Sequence, residues 1–215
     1  MSSQDLLAQR HSARSFSNRP VTRDTLTAII TQAQLAPSWE NTQPWKVYIA
    51  TGEAATRLRQ SHFQRHNQGQ KSWTEVMPPK KSEWAAFPQA NLDAWRSNML
   101  GFFGSDADQF ADVQKDLFNA PALVYLTMPQ KSSAYSAYDL GAFGYGILLA
   151  AQEHGVSGVP AYELVRYPEE IHQEFDIPAD QAIFMGIALG YPSDSKVNAL
   201  RTKRRPVTDI LTLKH

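Results

Sequence analysis

Residues 139 to 154 read DLGAFGYGILLAAQEH. This is a long, mostly apolar helix that Gly155 is placed to stop. Gly141, Ala142, Gly144 and Gly146 leave little side chain on parts of its surface, so another element must pack there very closely. A second helix can supply that contact from a symmetric partner copy or from within the same chain. On either side lie apolar runs suited to buried strands, APALVYLTM at 120–128 and IFMGIAL at 183–189, the latter followed by the turn residues Gly190 and Pro192.

Working outward, KVYIAT at 46–51 reads as a strand. Leu26, Ile29, Ile30 and Ala33 recur at helical spacing behind a Thr22 cap, giving a helix from about 23 to 36 that Pro37 stops. Short helices are expected at 5–10, with Leu6 and Leu7 inward, and at 169–175. The tail from 197 to 215 is basic and then alternates, as an extended arm does. Helices and strands mix without a βαβ rhythm, so the expected fold is α+β, a mixed central sheet flanked by helices. A single domain spans 1–215, and the polar, tryptophan-rich stretch at about 62–110, with the helical-looking NLDAWRSNMLGFF at 91–103, reads as an insertion that covers a site.

Twenty-one basic residues balance twenty-one acidic ones, so no global field draws nucleic acid or an anionic membrane. Any anion site must be local. Cysteine is absent, which excludes disulfides, thiolate metal sites and thiol nucleophiles; redox chemistry would need a bound cofactor. The opening residues lack the apolar core of a signal peptide and no run is long enough to span a bilayer, so a cytoplasmic location is expected. The sequence also lacks G-x-G-x-x-G after a strand, a Walker sequence, H-E-x-x-H and G-x-S-x-G. Rossmann, P-loop, metal-dependent and serine-hydrolase readings lose support, and no metal is expected.

Two basic clusters stand at opposite ends of the chain: Arg10 and Arg14, with Ser12 between them, and Arg201, Lys203, Arg204 and Arg205. Guanidinium groups bind phosphate in bidentate fashion, so together the clusters suit one phosphate; singly, each suits a solvated surface equally. In PSWENTQPW at 37–45, the amides of Asn41 and Gln43 and the hydroxyl of Ser38 offer donors and acceptors that match a heterocycle edge of alternating carbonyl and N–H groups, such as a flavin's. Turn formation also accounts for them, and Trp39 and Trp45 read as packing residues. Asp139 opens the glycine-rich helix and either caps it or accepts from a ring N–H.

Taken in order, RHSARSF (10–16), APSWENTQPW (36–45), DLGAFGYGILLAAQEHGVSGVP (139–160), IALGYP (187–192) and RTKRRPV (201–207) resemble the FMN-dependent nitroreductase superfamily. The resemblance implies a homodimer with an exchanged C-terminal arm and two FMN sites at the subunit interface. Arg10, His11, Ser12 and Arg14 would hold the phosphate and ribityl side, closed by Arg204 and Arg201. Pro37, Ser38, Trp39, Asn41 and Gln43 would come from the partner subunit. Asp139 would meet the pyrimidine edge, Val159, Pro160 and Ala161 would run beside the ring, and Lys115 is a further candidate. Two departures stand out: His11 replaces a common arginine or lysine, and Ala161-Tyr162 follow the proline where several relatives carry Glu-Gly. The implied activity is transfer of hydride from NADH or NADPH through flavin N5 to a nitroaromatic or quinone acceptor, by ping-pong kinetics and with no catalytic side chain. Reductive dehalogenation, enone reduction, flavin breakdown or non-catalytic flavin binding are the alternatives on the same scaffold.

Overall fold

A computed structural model of the chain describes residues 3–214, with side chains from Leu6 onward. Met1, Ser2 and His215, the last residue of the expected arm, lie outside the described residues. In chain order come α1 (Ser3–Gln9), α2 (Arg23–Ala33), β1 (Lys46–Thr51), α3 (Gly52–Asn67), α4 (Ala86–Phe103), α5 (Asp108–Lys115), β2 (Ala122–Pro129), α6 (Ala134–Glu153), β3 (Ser157–Ala161), α7 (Pro168–Glu174) and β4 (Gln181–Gly190). The sheet runs in the order β1-β2-β4-β3 with antiparallel pairing between these strands. The parallel component expected of a mixed sheet is confined to a bridge between Ser12 and Gly158.

Strand β2 is the middle of the molecule, and its side chains alternate between two cores. Ala122, Val124, Leu126 and Met128 face α2 and α6, while Leu123 and Tyr125 face α3 and α7. Both faces are covered, so β2 is buried almost throughout, as its unbroken apolar run requires. In β4 the register against β2 jumps from Met185 at Leu126 to Ile183 at Thr127, leaving Phe184 as the extra residue of a bulge. The bulge reverses the alternation. Ile187 therefore joins the α2/α6 core and Ile183 the opposite one, though both are odd-numbered. The backbone N–H of Ile183 donates to the carboxylate of Glu75 at 2.5 Å, so this displaced donor is satisfied from outside the sheet.

Helix α6 packs against α2, and at Gly146 an added Cβ would lie 3.4 Å from the Cα of Ala33. The close partner of this glycine is thus a helix of the same chain. Gly141 instead faces open space. Strand β3 is an edge strand, which tolerates Pro160 because an edge position requires no ladder donor there.

Several expectations need adjustment. Helix α6 begins five residues before Asp139, capped by the Ser133 side chain, which accepts from the N–H of Ser136. Asp139 therefore does not open or cap it. Helix α2 keeps its Thr22 cap but ends at Ala33. Leu7 is 56% exposed rather than inward in the single chain. In the stretch 62–110 the helical reading of 91–103 holds and extends back to Ala86 in α4, and the stretch also takes in the end of α3. No helix of the described residues is long and apolar enough to cross a membrane.

Candidate active site

After α1 the chain runs extended alongside β3. Ala13 donates its N–H to the carbonyl of Gly158 at 3.3 Å, and Ala13 and Phe16 are buried. These anchors leave Arg10, His11, Ser12 and Arg14 lining a cavity of about 310 Å³, closed on its other side by Arg201 and Arg204. Both ends of the chain thus reach one cavity. Lys203 and Arg205, grouped with them in the sequence, do not line it; they face a different cavity against α4.

Asn198 holds the two segments together. Its Oδ1 accepts from the backbone N–H of Arg14 at 2.7 Å and of Ser15 at 3.1 Å, and its Nδ2 donates to the carbonyls of Ser15 and Ser193 at 2.7 and 2.9 Å. Its own carbonyl accepts from Arg201 at 2.7 Å. Every hydrogen-bonding group of the amide is used. An isolated asparagine carries no sequence signal, so this residue escaped the motif reading. Tyr145 was also missed, hidden among the glycines of α6; its ring lies 5.8 Å from the Arg10 guanidinium, within cation–π range.

The cavity is electrostatically unfinished. Burial, and then the positive charge of Arg10, lower the Arg14 pKa from its ordinary value. Arg10 Nε is buried, with no hydrogen-bond partner among the described residues. Arg201 and Arg204 spend donors on backbone carbonyls and on the Thr202 hydroxyl. Among the described residues none of the four guanidinium groups pairs with a carboxylate. Clustered cations without counter-ions, Arg10 and Arg14 partly buried and Arg201 and Arg204 exposed, suit an anion. His11 turns its Nδ1 to the carbonyl of Gln9 at 3.0 Å.

Tyr145 also borders a second, almost wholly apolar hollow of about 230 Å³, formed by Gly141, Gly144, Pro160, Phe184 and Met185. A cationic cavity and a flat apolar groove therefore adjoin across one aromatic ring. Pro160 is exposed and borders the apolar hollow, whereas buried Val159 and half-buried Ala161 line neither cavity and pack into the core on the α3/α7 face.

The loop from Pro37 to Gln43 does not reach the cationic cavity within one chain. Glu40, Asn41 and Gln43 take left-handed φ values of 48°, 57° and 44°, a conformation that costs energy in residues other than glycine. Two bonds fix it: the N–H of Gln43 donates to Ser38 Oγ at 3.0 Å, and Gln43 Nε2 donates to Asn41 Oδ1 at 3.0 Å. Asp139, only 5% exposed, accepts from the backbone N–H of Trp39 at 3.0 Å and so moors the loop to α6. Trp39 is exposed and stacks loosely on Tyr135, while Trp45 is buried against Phe143 with ring centres 4.6 Å apart. Lys115 bonds Asp112 at 2.7 Å and does not line the cationic cavity.

Comparison with known proteins bears on the family and the fold. The nitroreductase family model matches residues 7–191. Nitrobenzene nitroreductase of Ectopseudomonas oleovorans is 26% identical over 226 residues, covering 98% of this chain and 96% of that protein. The 4-nitrobenzoate reductase of Pseudomonas putida is 28% identical over 206 residues, covering 93% and 89% respectively. The crystal structure of the FMN-dependent nitroreductase NfnB from Mycobacterium smegmatis in complex with NADPH superposes with a TM-score of 0.89 at 25% identity, over 99% of this chain and 97% of that one. With the family's match running from α1 to the end of β4, the chain belongs to the nitroreductase family.

Proposed function

We propose that the chain is an FMN-dependent oxidoreductase that draws hydride from NADH or NADPH and delivers it to nitroaromatic or quinone-type acceptors, two copies sharing two FMN sites. The observation that carries this reading is the cavity where Arg10 and Arg14 meet Arg201 and Arg204, with no carboxylate among the described residues that line it. The residues fit a flavin phosphate. A phosphate oxygen would satisfy the orphaned Arg10 Nε and relieve the crowding of Arg14, and Ser12 adds a hydroxyl donor. The adjoining groove, with Gly141, Gly144 and Pro160, is apolar enough for the ring system, along which Val159 to Ala161 would run.

Bound FMN supplies the centre that accepts and returns hydride, so no side chain need serve as nucleophile. The protein's part is to hold, orient and shield. The arginines offset negative charge, and Asp139 preorganises the 37–43 loop so that Asn41 and Gln43 can offer their amides to the heterocycle edge of the other subunit's site. One open face serves the nicotinamide and the acceptor in turn, which is the ping-pong order.

Support for the dimer comes from two surfaces. Between α2 and the edge strand β1 lies a groove of about 570 Å³ bordered by Leu26, Ile30, Val47 and Ile49. The tail carries exposed Ile210, Leu211 and Leu213. A partner's tail laid along β1 would cover both the groove and the strand edge.

A visible spectrum of the purified protein, followed by anaerobic titration with each nicotinamide and turnover with a nitroaromatic and a quinone, tests the reading. A flavin band bleached by nicotinamide and restored by acceptor, with parallel double-reciprocal plots, is the expected result. A protein that stays colourless after incubation with FMN overturns it, and bound FMN inert to both nicotinamides reduces it to flavin binding alone.

A further inference from the structure

We propose that the cavity between α4 and residues 200–205 receives the phosphate-bearing adenosine end of NADPH and selects this nicotinamide over NADH. The inference rests on the preceding reading of the chain as a nicotinamide-dependent flavoprotein.

The cavity holds about 430 Å³, within the range of about 300–1,000 Å³ that small-molecule sites occupy. Its α4 wall presents the Trp95 indole and Met99 between the carboxamides of Asn91 and Asn98. Lys203 and Arg205 stand on the facing wall. An aromatic face, amides able to both donate and accept, and cations form the set that a purine carrying a phosphate requires.

The charges are available. Among the described residues Lys203 has no carboxylate partner, and Arg205 shares one with Asp209 at 3.1 Å. The acids of the surrounding region are already engaged: Asp93 pairs with Lys81 at 3.2 Å and Asp106 with Lys196 at 2.7 Å. A phosphomonoester carries roughly −1.5 to −2 charges near neutrality, and the wall opposite α4 is built to receive it.

Position then decides the class of ligand. This cavity shares Leu200, Arg201, Thr202 and Arg204 with the arginine cavity, and shares no lining residue with the apolar groove at Pro160. Its occupant lies at the phosphate end of the flavin site, away from the ring. A nitroaromatic or a quinone is too short to sit here and also meet the ring. A dinucleotide, with the reactive nicotinamide at one end and adenosine at the other, spans both. The ribose 2′-phosphate distinguishes NADPH from NADH, and it is the group that Lys203 and Arg205 would bind.

The experiment uses the FMN-loaded enzyme, with KM measured for both nicotinamides in the natural protein and in Lys203→Gln and Arg205→Gln variants. Adenosine 2′,5′-bisphosphate and 5′-AMP serve as competing ligands. Each variant is expected to raise the KM for NADPH by about tenfold or more, the value of one charge-assisted hydrogen bond, with the KM for NADH and the FMN content unchanged. The bisphosphate should compete with NADPH far better than 5′-AMP. Equal shifts for both nicotinamides, no shift in either variant, or equal inhibition by the two nucleotides would each overturn the inference while leaving the flavin reading intact. A natural protein that takes up no FMN overturns the flavin reading itself, and the inference with it.

Discussion

Arg10 keeps its Nε buried and unpartnered, whereas Arg204 is exposed and already donates to Thr202. The two arginines therefore differ in what a phosphate would add to them. Arg10→Ala should weaken FMN binding by about ten- to a hundredfold, the range for losing a charged hydrogen bond, and Arg204→Ala by less. Flavin fluorescence titration reads both, and unchanged affinity in Arg10→Ala would remove the arginine cavity from the site. Asn198→Ala strips partners from the backbone of Arg14, Ser15 and Ser193 together and is expected to cost about 2–4 kcal/mol, measured by urea unfolding. The RHSAR run was legible because clustered charge in a neutral chain stands out. Asn198 was not, because its importance lies in contacts made across 184 positions.

Among the elements, α3, α7 and the turn at Tyr162–Val165 meet at a buried histidine. His62, 0% exposed, sets Nε2 at 3.0 Å from Glu163 and Nδ1 at 3.3 Å from Glu170. Burial is the largest influence and opposes the imidazolium, but the hydrogen bonds and charges of Glu163 and Glu170 outweigh it, so the pKa rises above 6.5. Glu163 moves the other way: burial, its largest influence, is outweighed by His62 and Arg166, and its pKa falls below 4.5. The histidine's contribution to stability is full below pH 6.5 and is lost as pH climbs through its raised folded value. The contribution of Glu163 is full above pH 4.5 and is lost as pH drops through its lowered one. Together they are strongest between these two pH values. His62→Gln should flatten the alkaline limb of a stability-against-pH curve from urea unfolding; an unaltered limb would refute the assignment. Gly186 gives a second element-scale test, since an added Cβ would fall 2.4 Å from the Cβ of Leu164, an atom too near the backbone to swing aside. Gly186→Ala should cost about 1–3 kcal/mol in the same assay. Strand β1 was read from sequence with its ends correct, because KVYIAT follows Pro44 and Trp45 and is stopped by Gly52. Helix α4 was legible from Asn91 to Phe103 but not in its first five residues, since it buries only Phe103 and carries no apolar stripe to mark its start, and the first turn of α6 was hidden by exposed Tyr135 and Tyr138.

For the whole molecule, the α+β architecture followed from interspersed apolar runs, but the face assignments did not. The β4 bulge inverts the inside and outside of one strand end, and a pattern of period two cannot reveal a residue inserted at Phe184. The proposed pairing of two copies was likewise legible only as a resemblance, because a flavin site divided between chains would leave each chain with half the motif. Removal of residues 207–215 deletes the apolar tail while sparing Arg201 and Arg204. The truncated protein should sediment as a monomer and retain less FMN; a stable, fully loaded dimer would show that the tail is not what covers β1.

The clasp between Asn198 and the Arg14 segment has a consequence for biosynthesis. A growing polypeptide emerging from the ribosome displays RHSAR early, yet the amide that fastens it follows 184 positions later. Until translation passes Asn198 the basic stretch near the start is unfastened, and nascent chains should hold flavin less tightly than the finished one. Under the proposed flavin reading, cofactor loading is then expected to follow synthesis, and products that end before Asn198 are expected to emerge with little colour.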